Sequence, residues 1–154
     1  MHEMKTCSQC RKRAVKKSKV ADCIKIAGHK FCSNDIAGFR CTNCGAEYLT
    51  HEGLNGFERR VAEYLVKAGE QSGEAIKFMR KVIGLKAIDF AKMLNVTPET
   101  ISRWENKQRL IDRAALVVLQ SLVRDALEGT NRTVQILTAT ATPARIPKTV
   151  QLGV

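Results

Sequence analysis

The sequence predicts a mixed fold: a small N-terminal metal-binding domain with short β-strands, followed by an all-α domain. Three observations carry this. All six cysteines fall before residue 45, four of them as two C-x2-C pairs. From residue 57 onward apolar residues recur at helical spacing, which they do not do earlier. Charge is also uneven: against a formal net charge of +11 overall, residues 1–50 carry ten basic and four acidic side chains. The expected organisation is a cysteine domain over 1–50, a helical linker over 51–73, a helical domain over 74–128 and an extended or mobile tail over 129–154.

The first pair is Cys7 and Cys10, in "TCSQC", and the second is Cys41 and Cys44, in "CTNCG", with 30 residues between the pairs. Each C-x-x-C turn presents two thiolates to one centre, and two such turns complete a tetrahedral zinc shell. Gly45 suits the tight turn after the second pair, because glycine accepts positive φ. The expectation is one structural Zn2+ per chain, held by Cys7, Cys10, Cys41 and Cys44. A thioredoxin-like redox pair would be a single C-x-x-C beside a βαβ pattern, and the chain has neither. Cys23 and Cys32 lie in "VADCIKIAGHKFCS", which reads as short strands about a Gly28 turn. Neither has a close-spaced partner, so both are expected to pack or sit partly exposed as free residues. His29 and His51 are not needed as ligands once four cysteines close the shell. The basic run "RKRAVKKSK" at 11–19 reads as a solvated face.

The helical part begins with "FERRVAEYLVKAG" (57–69), which places Phe57, Val61, Tyr64 and Leu65 on one side and stops at Gly69. Ser72 is a candidate cap for a second helix running to Gly84. In "AIDFAKMLNVTPETISRWEN" (87–106), a small residue (Ala91) stands at the fifth place and Asn95 at the ninth. Phe90, Leu94, Val96, Ile101 and Trp104 supply the apolar positions. That is a helix-turn-helix pattern: the small residue admits the second helix, and Asn tolerates the left-handed turn. Thr97 caps the second helix and Pro98 opens it. Thr97, Glu99, Thr100, Ser102 and Arg103 then lie on its outer and leading sides, with Lys107 and Arg109 beyond. These seven are the expected DNA contacts, Arg103 reading guanine and Lys107 and Arg109 holding phosphate. Trp104 is expected in the core, and Glu105 in an ion pair with Arg80. A last helix over 112–129 is apolar around much of its surface, which points to a dimer face. In the tail, "TVQIL" reads as a short strand.

The two cysteine pairs, their spacer and "TISRWEN" together resemble the MqsA-type antitoxins, a YgiT-type zinc finger followed by a phage-repressor-like helix-turn-helix. The resemblance implies an operator-binding repressor that dimerises through its C-terminal domain and contacts a toxin through its zinc domain. Arg103 falls where that family has a base-contacting Arg, whereas Glu99 stands where its best-known member has Asn. The other reading is a stand-alone zinc-containing helix-turn-helix regulator without a toxin. No nucleophile–base set, phosphate loop or carboxylate pair suggests an enzyme. Excess positive charge favours double-stranded DNA as partner. With no membrane-length apolar run and no apolar signal stretch, a cytoplasmic location is expected.

Overall fold

A computed structural model describes residues 6–153. A three-stranded antiparallel sheet of order β1-β2-β3 is built from β1 (Val15–Ile26), β2 (His29–Cys41) and β3 (Glu47–Leu49). Helices follow as α1 (His51–Ala68), α2 (Gly73–Val82), α3 (Ala87–Leu94), α4 (Pro98–Glu105), α5 (Arg113–Glu128) and α6 (Arg132–Ala141). A two-residue turn at Ala27 and Gly28, with φ of 52° and 80°, reverses the chain between β1 and β2. It pairs Ile26 with His29 and, moving away from the turn, Lys25 with Lys30, Ile24 with Phe31 and Cys23 with Cys32. A register irregularity follows beyond Asp22.

Alternation sorts the hairpin into two faces. Val20, Ile26 and Ile36 are buried and, with Ile24 and Phe31, face α1; Lys17, Lys19, Cys23, Lys25, Lys30 and Cys32 occupy the outer face. Cys23 and Cys32 are not free residues as expected: they form a disulfide, with Cα atoms 4.1 Å apart. The turn makes them direct partners, a consequence of register that sequence spacing alone conceals.

The segment expected as a helical linker contains α1. Thr50 caps α1 by accepting the Gly53 amide at 2.9 Å, and Gly69, at φ 65°, ends it. Helical periodicity is masked at its start because Gly53 lies against β2, where a side chain would collide with the Ala37 carbonyl. Phe57, Val61, Ala62 and Leu65 of α1 join Ile76, Met79, Phe90, Ile101, Leu119 and Val123 in one apolar cluster that also takes in Ile26 and Ile36. Burying each of these side chains other than Ala62 contributes about 1.5–3 kcal/mol.

The tail differs from the expected extended segment. Residues 132–141 are helical, so "TVQIL" is part of α6 and not a strand. Thr138 and Thr140 return their hydroxyls to carbonyls one turn earlier, as Thr142 does from the C-cap position. Residues 143–153 form neither helix nor strand and are exposed.

Candidate metal centre and nucleic-acid interface

Two turns bring four sulfurs together. Arg11 donates its amide to the Cys7 carbonyl and Gly45 donates its amide to the Cys41 carbonyl, each at 2.9 Å. Both residues have positive φ, 59° and 76°. Gly45 meets the expectation; Arg11 does the same work without the freedom glycine has. The Thr42 amide donates to the Ala14 carbonyl at 2.8 Å, tying the second turn to the chain that leaves the first.

The sulfurs of Cys7 and Cys44 are 3.6 Å apart, as are those of Cys10 and Cys41, and all four lie within 4.8 Å of one another. A tetrahedron with metal–sulfur bonds of about 2.3 Å has edges of about 3.8 Å, so the set fits one four-coordinate ion. Cys7 and Cys41 are buried while Cys44 reaches the surface. The Cys10 amide and the Tyr48 hydroxyl pull the Cys7 thiol down to about 6. The Ala46 amide favours a Cys44 thiolate, but lost solvent and the sulfurs of Cys7, Cys41 and Cys10 outweigh it and push that thiol up to about 12. Four thiolates in so small a space would repel one another, and a divalent cation at their centre would remove the conflict.

Tyr48 was not singled out in the sequence. Its hydroxyl lies 3.0 Å from the Cys7 sulfur and accepts the Ser8 amide at 3.2 Å. β3 places it there by pairing Tyr48 with Phe39. Its place three residues past Gly45 was the one available signal.

In the helical part α3 and α4 take the expected places. Ala91 is buried under α4's approach, and Asn95, at φ 54°, makes the turn. Thr97 accepts the Thr100 amide at 3.3 Å and Pro98 opens α4. Ile101 and Trp104 point inward, with relative exposures of 0% and 4%. Thr97, Glu99, Ser102, Arg103, Lys107 and Arg109 are exposed together, whereas Thr100 is half-buried with its hydroxyl 3.2 Å from that of Thr97. Glu99 is held below the usual carboxylate range by its own amide, the Thr97 hydroxyl and the Arg103 charge. Lys107, at φ 62°, starts the loop in which the Gln108 and Arg109 amides both return to the Arg103 carbonyl.

The expected pair is present beneath this surface. Arg80 Nε donates to Glu105 at 2.6 Å, a second guanidinium nitrogen does so at 3.1 Å, and the third donates to the Leu85 carbonyl at 2.7 Å. With side chains 9% and 8% exposed, the pair locks the end of α4 to α2.

A four-cysteine sheet module joined to a helix-turn-helix defines the class of this molecule. The model of the helix-turn-helix family HTH_3 matches residues 76–120, which run from α2 into α5. The match supports a DNA-binding transcription regulator rather than an enzyme. No curated protein matches the chain. Among the described residues, no helix is long and apolar enough to cross a membrane.

Proposed function

We propose that this chain is a sequence-specific transcriptional repressor that binds operator DNA through the N-terminal part of α4. The observation that carries it is the exposed row Thr97, Glu99, Ser102 and Arg103 on a capped helix, backed by buried Ile101 and Trp104. α4 enters the major groove, Arg103 reads guanine, Glu99 accepts from a cytosine amino group, and Lys107 and Arg109 hold phosphate. The ion at Cys7, Cys10, Cys41 and Cys44 is zinc, one per chain, with a structural role. The protein acts as a cytoplasmic homodimer. α5 turns most of its apolar side inward, so the exposed residues left for a second copy are Val117 on α5 and Val134 and Ile136 on α6. Two α4 helices then sit about 34 Å apart, one turn of DNA.

The finer reading is an antitoxin that neutralises a toxin through the sheet module and represses its own operon. It rests on the order of the two modules and on the resemblance to MqsA-type antitoxins.

The test of DNA readout uses a site selected from random duplexes. Arg103→Ala should lose about 1–3 kcal/mol on that site and relax preference at one base pair per half-site. Lys107→Ala should weaken selected and scrambled DNA alike, with the salt slope falling by about 0.9 per lost phosphate contact. Unchanged affinity of Arg103→Ala on both DNAs would place the wrong side of α4 in the groove. Co-purification of a small protein from the native host, lost when the sheet module is deleted, tests the antitoxin role.

A further inference from the structure

The disulfide lies outside everything assigned above. Cys23 and Cys32 are both exposed, on the face of the hairpin turned away from α1. We propose that they form a thiol–disulfide exchange site, reduced by low-molecular-weight thiols and re-formed by the corresponding disulfides, without disturbing the four-cysteine metal centre.

Three features of the hairpin carry this. First, the bridge does no structural work that the hairpin lacks: it joins residues nine positions apart, across a turn that ten other paired positions already close. Neither cysteine belongs to the apolar core. Second, register keeps the two sulfurs together in either redox state. Their backbones are direct partners, so reduction leaves two thiols side by side and re-oxidation needs no chain search. Third, the next pair toward the turn on the same face is Lys25 with Lys30, about 6–7 Å along each strand. Two ammonium groups favour thiolate as the leaving and attacking form and draw in anionic thiols.

The exchange balances in two steps. A reductant thiolate attacks one sulfur of the bridge, giving a mixed disulfide and releasing the other protein sulfur as thiolate. A second reductant thiolate attacks the reductant's own sulfur in that mixed disulfide, so the oxidised reductant leaves and the second protein sulfur is freed. Two electrons pass to the protein, and the protons given up by the two reductant thiols end on Cys23 and Cys32. The sulfurs of Cys7 and Cys41 are shielded, each residue being 1% exposed, and an ion held by all four cysteines would keep Cys10 and Cys44 out of the exchange.

The test equilibrates the intact zinc-loaded protein with buffers of varied reduced-to-oxidised glutathione ratio, followed by acid quench, alkylation and peptide mapping, with zinc measured in parallel. The Cys23–Cys32 bridge should titrate across the series while zinc stays near one per chain. Cys23→Ser should trap glutathione on Cys32, and joint Lys25→Gln and Lys30→Gln should slow exchange severalfold. A bridge that persists in the most reducing buffer, thiols that never oxidise, or zinc lost in step with the bridge would each overturn the proposal. So would an unchanged exchange rate in the lysine variant, which removes the charge that selects the site.

Discussion

The sheet and the helices bury different things. Around α2, α3, α4 and α5 the interior is Ile76, Met79, Phe90, Ile101, Leu119 and Val123, each nearly inaccessible to water. At the cysteine end of the sheet the buried residues are Cys7 and Cys41, while Val20, Ile26 and Ile36 lie further along the hairpin. An apolar interior of that size holds helices together without help; a few strand residues and two loops do not. The difference teaches that one chain uses two kinds of cohesion. Apolar packing holds the part that would meet DNA, and the other part depends on whatever ion its four clustered sulfurs would hold.

Removing the metal breaks this comparison most sharply. Structural zinc in small peptides is worth about 10–16 kcal/mol, which becomes folding free energy where no core replaces it. Chelation, or Cys41→Ser, should expose residues 6–50 to hydrogen exchange while α2 to α5 keep their protection. Loss of protection in both parts together would show a single cooperative unit, carried by the contacts of Ile26 and Ile36 with the helices. Undisturbed protection of β1 and β2 would show that the sheet needs no ion.

The corresponding break on the helical side is the Arg80–Glu105 pair. Removing one partner leaves a buried charge, so Arg80→Ala should lower stability by roughly 3–5 kcal/mol, read as a denaturant midpoint shift. Replacing both partners by apolar residues of similar volume should cost far less. If Arg80→Ala is as mild as the double replacement, the pair is more hydrated than its 9% and 8% side-chain exposures imply.

Tyr48→Phe sharpens the sheet side with a smaller effect. The hydroxyl that contacts Cys7 and Ser8 would orient a ligand without being one. Its loss should weaken metal binding by about 10–100-fold with the fold retained, measured by competition with a chelating dye. Unaltered affinity would reduce Tyr48 to a packing residue.

These contrasts also explain what was legible in the sequence. The mixed fold, the cluster of four cysteines and the helix-turn-helix could be read because their signals are local: C-x2-C, the Ala91–Asn95 spacing, and the Thr97-Pro98 start. Arg80 with Glu105 was legible because helical period brings them to facing surfaces. The disulfide needed register, since Cys23 and Cys32 meet only once the turn is fixed at Ala27 and Gly28. α1 was clipped because Gly53 and Gly56 interrupt its pattern, yet Gly53 is there for the close approach to β2. α6 was missed because its stabilising partner lies in another helix.

That partner is Asp125, and it gives the smallest effect. Asn131, at the N-cap position of α6, makes no side-chain cap. Instead Asp125, near the end of α5, accepts the Thr133 amide at 2.6 Å and the Thr130 hydroxyl at 2.8 Å. The Thr133 amide and hydroxyl, with the Thr130 hydroxyl, hold the Asp125 carboxyl below the usual carboxylate range. A carboxyl depressed on folding contributes stability that is complete above its unfolded value of about 3.9 and is lost as pH falls through its lower folded value. α6 has no buried residue to hold it otherwise. Its docking should therefore be constant from neutral pH down to about 5 and loosen only in stronger acid. Because metal-bound thiolates also protonate in acid, the cleaner readout is Asp125→Asn at neutral pH, followed by amide exchange at Thr133 and along α6. Faster exchange confined to 130–141, with α5 unchanged, is the expected outcome. Protection equal to that of the parent would mean that neutral oxygen acceptors suffice and that the charge of Asp125 does not hold the helix.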